Sequence, residues 1–319
     1  MSTYLLRRAG TSIIIMVGLS VMIFAMLHLI GGSPGQVILG PKASKPAIAA
    51  WNMKHGFDRS FFAQYGHYMW RLLHGDLGES YTLNQSVDQV LAEHAPISAY
   101  LSGSALVLSI LIAFPVGIYQ AVKRNTLGDN AVTTAAFILY SMPTFLLGLL
   151  LIQIFALTLN ILPPLAPASV SQNSSLVGAI THPNAMVLPV ATLTLVSVAA
   201  YSRYMRSSAL DALAQDYIKA ARAKGLPERL VLTRHLVRNA CLPMVTLIGL
   251  SIPALLSGNL ITESVFNWPG LGIMFINALN REDYPVLLAY TLMGGVLTVI
   301  GNYVADIALT VADPRIRIA

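Results

Sequence analysis

Few side chains in this chain are placed to do chemistry, and most of them fall in one stretch. Between Arg203 and Arg238 stand eight Lys or Arg residues, while the flanking runs 131–202 and 239–262 hold no Asp, Glu, Lys or Arg. Inside this polar island, Asp216 to Lys224 is a good helix-forming run, and the lone Gly225 suits a helix stop because glycine adopts left-handed geometry cheaply. Leu226-Pro227-Glu228 then restarts a helix, with proline early, where its missing N–H costs nothing. The spacing predicts a short helix–turn–helix. Ala220 and Ala221 offer a small, smooth face that another helix or a groove can approach closely. That is the chemistry of docking a partner. The plainer reading of the same residues is an ordinary amphipathic helix on a membrane surface.

Other candidates are sparse. Glu263 and Asp306 are the acidic residues closest to the apolar runs, and an ionisable group inside a membrane span marks a functional site by default. Glu263 is expected at an outer mouth, as part of a gate or as a receiver of a substrate amine. Asp306 follows Asn302 by one turn, and the simpler role is a hydrogen bond to a neighbouring helix. His55, His67, His74 and His94 invite a metal reading, but their setting among aromatic residues favours interfacial side chains, and no metal site is expected. Cys241 is the single cysteine, so no intrachain disulfide framework exists. There is no Gly-x-x-x-x-Gly-Lys-Ser/Thr loop to cradle ATP, no His-Glu-x-x-His, no Gly-x-Ser-x-Gly and no cysteine cluster.

The elements that must position these residues are apolar. With 55% hydrophobic and 11% charged residues, the chain lacks the polar side chains to build a soluble exterior. Five charge-free windows, 9–41, 94–122, 131–202, 239–262 and 284–305, are long enough to cross hydrocarbon, which takes about 20 apolar residues. The 131–202 window divides at Leu162-Pro163-Pro164-Leu165-Ala166-Pro167, which gives six spans. They are expected near 11–30, 99–122, 132–159, 186–204, 241–261 and 285–310, with Pro115 and Pro143 kinking the second and third. Lys and Arg placement puts both termini in the cytosol. In that orientation fourteen basic residues face inward, among them Arg7, Arg8, Lys123, Arg124 and the island, and six face outward. The net charge of +6 is then a topology signal and not a nucleic-acid footprint. The first apolar run lacks a convincing cleavage site and reads as an uncleaved span.

The expected division is a tail and first span at 1–31, an external helical segment at 32–97, and a five-helix core at 98–319 carrying the hairpin at 205–240. In the external segment Phe57, Phe61, Phe62, Tyr65, Tyr68, Met69, Trp70 and Leu72 form a dense aromatic face at helical spacing. Packing on the headgroup belt is the simpler role for it, and contact with an external protein the sharper one.

At this point the chain resembles a known family. Asp216-Tyr217-Ile218-Lys219-Ala220-Ala221-Arg222-Ala223-Lys224-Gly225-Leu226, followed by Arg234-His235-Leu236-Val237-Arg238-Asn239-Ala240, is similar to the cytoplasmic EAA loop of bacterial ABC-importer permeases. More narrowly it resembles the dipeptide/oligopeptide branch, which also includes nickel and glutathione importers. Further matching stretches are Gly75–Ser80, Ser141-Met142-Pro143-Thr144-Phe145, Glu263–Gly272, Arg281–Pro285 and Asp313-Pro314-Arg315-Ile316-Arg317. The pattern departs at Lys219, where the family has Glu, and at Gly31-Gly32-Ser33-Pro34, where it has Pro-Gly-Asp-Pro. It departs also at Arg238, where the general loop ends in Pro; the Arg234-His235…Arg238-Asn239 end is that of the first of two paired permeases.

The resemblance implies an all-α, polytopic permease subunit in the bacterial inner membrane, without catalytic residues or cofactors of its own. Its partners would be a second permease in a heterodimer, two cytosolic ATPases carrying ATP and Mg, and an external solute-binding protein. The coupling residues would be Asp216, Tyr217, Lys219, Ala220, Ala221, Arg222, Lys224, Gly225, Leu226, Arg234 and His235. Candidates for the translocation path or gate are Ser141, Pro143, Asn259, Glu263, Asn302 and Asp306. Peptides are the implied cargo, with nickel, haem or glutathione as alternatives. An ion-coupled carrier would need titratable groups at mid-membrane, where only Glu263 and Asp306 come near. An intramembrane enzyme would need a paired-carboxylate or nucleophile–base constellation, and the spans hold none.

Overall fold

The computed structural model describes residues 2–30, 34–40, 42–171 and 176–312. Among them the regular structure is entirely helical, and the one β-type contact is an isolated bridge between Glu79 and Ser86. Helix α1 (Ser2–Ile30) is followed by three short helices, α2 (Pro34–Leu39), α3 (Lys45–Lys54) and α4 (Phe61–Leu73). Next come α5 (Val87–Val122), α6 (Leu127–Ser141) and α7 (Thr144–Leu151), the last continued by a π-helical turn over Ile152–Thr158. Short α8 (Ala168–Ser171) and α9 (Leu176–Thr181) lead into α10 (Pro183–Leu213). The island then forms α11 (Asp216–Ala223), α12 (Glu228–Leu230), a second π-helical turn (Val231–Leu236) and α13 (Val237–Ala240). The chain closes with α14 (Leu242–Ser257), α15 (Leu260–Val265), α16 (Leu271–Asn280) and α17 (Tyr284–Ala312).

Helices Val87–Val122, Pro183–Leu213 and Tyr284–Ala305 are long and apolar enough to cross a membrane, and α6 with α7 makes a fourth crossing if the bent pair counts as one. The bend there is 106°, far beyond the kink expected of Pro143. The local cause is that the residue before a proline is pushed out of helical geometry: Met142 takes an extended ψ of 129°. Helix α5 starts at Val87, so the boundary expected at residue 97 falls inside a helix. Helix α10 runs on to Leu213, nine residues beyond the expected end of its span, because Met205, Ala209 and Ala212 continue its buried stripe while Arg203 and Ser207 face away.

The axis of the molecule is the α5–α10 pair. From Ile97 to Ala121 buried residues of α5 recur at most four positions apart, and between Ser98 and Gly117 nearly all are small: Ser98, Ser102, Ala105, Ser109, Ala113 and Gly117. Small side chains let two apolar helices approach closely, which is how helices associate where no hydrophobic drive exists between them. At 1.5 Å per residue, the 36-residue α5 is about 54 Å long. One hydrophobic cluster sits at its first turns, with Val87, Val90 and Leu91 against Leu271, Met274, Tyr284 and Leu287. Another sits at its last, with Ala121 against Met205, Ile218, Val231 and Leu236.

Candidate functional site

The island folds as a tight hairpin seated on the ends of α5 and α10. Ile218 and Ala221 of α11 point into the cluster with Ala121, Met205 and Ala209, both almost fully buried. Tyr217, Lys219, Ala220, Arg222 and Lys224 are exposed on the opposite side. Ala220 and Ala221 therefore do not share a face: Ala221 serves the seating of α11, and only Ala220 remains on the open side. His235 is half-buried and Arg234 exposed.

Gly225 closes α11 in the expected manner. Its φ is +73°, its N–H donates to the Arg222 carbonyl (2.9 Å), and the Leu226 N–H donates to the Ala221 carbonyl (3.4 Å). Those two bonds are a Schellman motif, and Leu226 and Ala221 join the same cluster, as the motif's apolar contact requires. A Cβ on Gly225 would meet nothing within 4 Å, so the requirement is for conformation alone. Across the turn, Arg222 grips Glu228 through two bonds of 3.1 and 2.6 Å and holds that carboxyl below the usual range. Lys219 pairs with Asp216 at 2.9 Å.

Beside the hairpin, the turn between α5 and α6 is locked to α10. Arg206 makes a bidentate pair with the buried Asp129 (3.0 and 2.8 Å), whose Oδ2 also accepts from the Asn125 N–H. Thr126 caps α6 by accepting from the Asp129 N–H. The Thr126-x-x-Asp129 spacing of a capping box was the available signal for this turn, whereas the partner Arg206 had none.

At the opposite end of α5 stands the buried Glu263. One carboxylate oxygen accepts from the Ser98 hydroxyl (2.6 Å) and the Asn259 N–H (3.2 Å), the other from the N–H groups of Gly272 (2.6 Å) and Ile273 (3.3 Å). The Leu271 N–H donates to Ser98 Oγ (2.7 Å). The first three amides of α16 thus end on Glu263 directly or through Ser98. A negative group is favoured there by the unpaired N–H groups and the helix dipole. Glu263, expected at an outer mouth, is buried, and the protein's own donors fill its oxygens. Phe266 and Trp268, which follow it, are completely buried between α5, α7 and α10 and anchor the loop.

Of the six path candidates the structure brings two together, Glu263 and Asn259, the latter also donating from Nδ2 to Ser102 Oγ (2.7 Å). Ser141 and Pro143 sit exposed at the α6–α7 break. Asn302 lies apart, in a groove between α1 and α17 with Ser12, Leu19 and Thr298. The side chain of Asp306, and Arg315 and Arg317, lie outside the described residues. Two residues that matter here were not singled out from the sequence: Ser98, one serine among several in an apolar helix, and Asp283, which the matching stretch Arg281–Pro285 contains but gives no role. Asp283 is buried and accepts from Ser80 Oγ (2.5 Å), Thr82 Oγ1 (2.8 Å) and the N–H groups of Tyr81 (3.1 Å) and Thr82 (3.3 Å). Among the described residues no three His, Cys, Asp or Glu side chains come together to hold a metal ion.

Comparison with known proteins gives the context for these two ends. Residues 113–318 match the family described as "Binding-protein-dependent transport system inner membrane component", and residues 1–102 match its N-terminal counterpart. The chain is 33% identical to the oligopeptide transport system permease protein AppB of Bacillus subtilis (strain 168), over 99% of this chain and 100% of that one. It is 34% identical to the dipeptide transport system permease protein DppB of Escherichia coli (strain K12), over 99% of both. The glutathione transport system permease protein GsiC of Salmonella choleraesuis (strain SC-B67) is also 34% identical, over 99% of both. Among solved structures, an amino acid ABC transporter with histidines aligns at a TM-score of 0.53 and 13% identity, covering 69% of this chain and 92% of that one, a likeness of fold.

Proposed function

Because the chain belongs to the binding-protein-dependent transport system inner membrane component family, we propose that it is the permease subunit of an ATP-driven peptide importer. The observation that carries the coupling half of this reading is the seating of α11: Ile218 and Ala221 are buried on α5 and α10, while Tyr217, Lys219, Ala220, Arg222 and Lys224 form an open ridge. A ridge fixed to two long helices transmits displacement to them, whereas a loosely tethered one would absorb it. On this reading an ATPase groove grips the ridge, and the basic rim steers the encounter. Closure of two ATPases on ATP would then bias the spans between two arrangements.

Six crossings, with both termini cytosolic, complete the reading. Helix α1 and helix α14 join the three long helices and the broken α6–α7 pair. The 16 residues of α14 span about 24 Å, short of a typical hydrocarbon core. The buried loop from α15 to α16 would make up the remaining depth, since irregular backbone is tolerated in a membrane where protein covers it. A second permease, two ATPases and an external solute-binding protein are the partners. Identity to the peptide relatives favours peptides as cargo, and the equally similar glutathione relative favours that molecule as a second reading.

Purification of the intact assembly tests both points. ATPase subunits that crosslink to a cysteine at Lys219 support the coupling role, and an assembly without an ATPase, or with an untouched ridge, ends it. The solute that the external binding protein retains decides between peptide and glutathione.

A further inference from the structure

We propose that Asp283 is the positioning residue that yokes the segment between α1 and α5 to α17, so that a partner acting on that segment moves two long helices together. The inference rests on the permease reading above. The turn 80–82 is joined covalently to α5, which begins at Val87. It is joined to α17 by Asp283, the residue before that helix, whose own carbonyl accepts from the Leu287 N–H. All four donors to the Asp283 carboxylate come from Ser80, Tyr81 and Thr82, so the side chain is spent on the turn and not on its own helix.

The turn itself is braced. Ser80 Oγ also accepts from the N–H groups of Thr82 (3.3 Å) and Leu83 (2.9 Å), and Ser80 N–H bonds to Gln85 (2.9 Å). Asp76, paired with Arg71 at 2.7 Å and held below the usual carboxylate range by it, accepts from Gly78 N–H (2.9 Å) and ties α4 to the turn.

Both helices held by the yoke lead to the hairpin. Helix α5 ends in its cluster at Ala121. Helix α17 packs along α14, so closely at Gly249 that a Cβ there would overlap Ala305, and α14 begins just after α13. A displacement at 80–82 therefore has two packed routes to α11–α13. Were Asp283 unable to accept, the turn would still pull α5 but would slip against α17.

The experiment uses the complete assembly in lipid nanodiscs with its solute-loaded external binding protein, and reads the ratio of stimulated to basal ATPase activity. Asp283→Asn sets an amide donor against donors, and the Ser80→Ala/Thr82→Ala pair removes two donors and the Ser80 brace while leaving the Tyr81 and Thr82 N–H bonds to Asp283. Each is expected to lower the stimulation ratio about fivefold. Combining all three should lower it no further, because they remove one connection. Amide exchange at Tyr81 and Thr82 should accelerate in Asp283→Asn. If that variant does not assemble, the Ser80/Thr82 pair carries the test. Stimulation at the wild-type ratio in the variants, or full additivity, overturns the yoke alone. An unmodified assembly with no stimulation overturns the permease reading, and the yoke falls with it.

Discussion

At one end of α5 the chain hides apolar side chains and displays most of its charges, the buried Asp129 excepted; at the other it buries two carboxylates with no cationic partner among the described residues and leaves aromatic and aliphatic side chains in the open. The hairpin end is held by Ile218, Val231 and Leu236 packed on Ala121 and Met205, with the hairpin's own ion pairs, Arg222–Glu228 and Lys219–Asp216, out in solvent and the Arg206–Asp129 pair locking the turn beside it. The opposite end is held by Glu263 and Asp283, each accepting four hydrogen bonds, while Phe62, Trp70 and Leu73 of α4 stay exposed. Apolar packing is non-directional and holds by close fit, whereas a buried carboxylate with filled oxygens fixes the direction of each bond as well. The contrast is one of means: the hairpin is seated by packed apolar side chains, and the α16 end is set in register by converging hydrogen bonds.

The comparison is most exposed at Glu263. Glu263→Gln turns an acceptor at Gly272 and Ile273 into a donor and removes the charge from the α16 N-terminus. A loss of about 3 kcal/mol is expected, read as an earlier thermal transition of the detergent-solubilised protein. Unchanged stability would show that the carboxylate does not set the register, and unchanged transport would remove it from any gate. Next in size is Ile218→Ala, which empties a packed position under α11 and should cost about 2 kcal/mol. That loss should come without any change in crosslinks near Ser98, since the two ends share no residue.

Gly225→Val tests conformation alone. A β-branched residue held at φ +73° costs about 1–2 kcal/mol, so the turn should open. ATP-coupled uptake should then fail while membrane insertion survives. Gly225→Asn, which tolerates that φ, should keep uptake, and equal behaviour of the two variants would break the argument. The smallest effect belongs to Glu228. Its carboxyl is held below the ordinary range by Arg222, so the pair contributes above the ordinary carboxylate pKa and is lost as pH falls through the lowered value. Being exposed, it should also fade with added salt. A hairpin crosslinking rate that ignores both would show the pair to be idle.

Legibility followed the same division. The hairpin could be read because its signals are local: helix formers, one glycine, one proline and a run of basic residues within 36 positions. What could not be read was which alanine faces inward, since Ala220 and Ala221 differ only in where the α5 and α10 ends lie. The α16 end was legible as a motif, Glu263 to Gly272, but not as a mechanism. Glu263 meets Ser98 across 165 positions and Asp283 meets Ser80 across 203. No periodicity encodes such a pairing. Pro143 was legible as a disturbance, yet whether Met142 before it stays near-helical and gives a kink or turns extended and gives the 106° break was not.

Composition, charge-free runs and the placement of Lys and Arg determined by themselves that this chain is helical and apolar and presents a basic hairpin, because those properties are sums over local residues. Tertiary structure alone decided that Glu263 is filled and not free, that Asp283 holds a turn two hundred residues away, and that α5 reaches from one site to the other. Each of those depends on which donors converge on a buried oxygen, and convergence is a property of three dimensions.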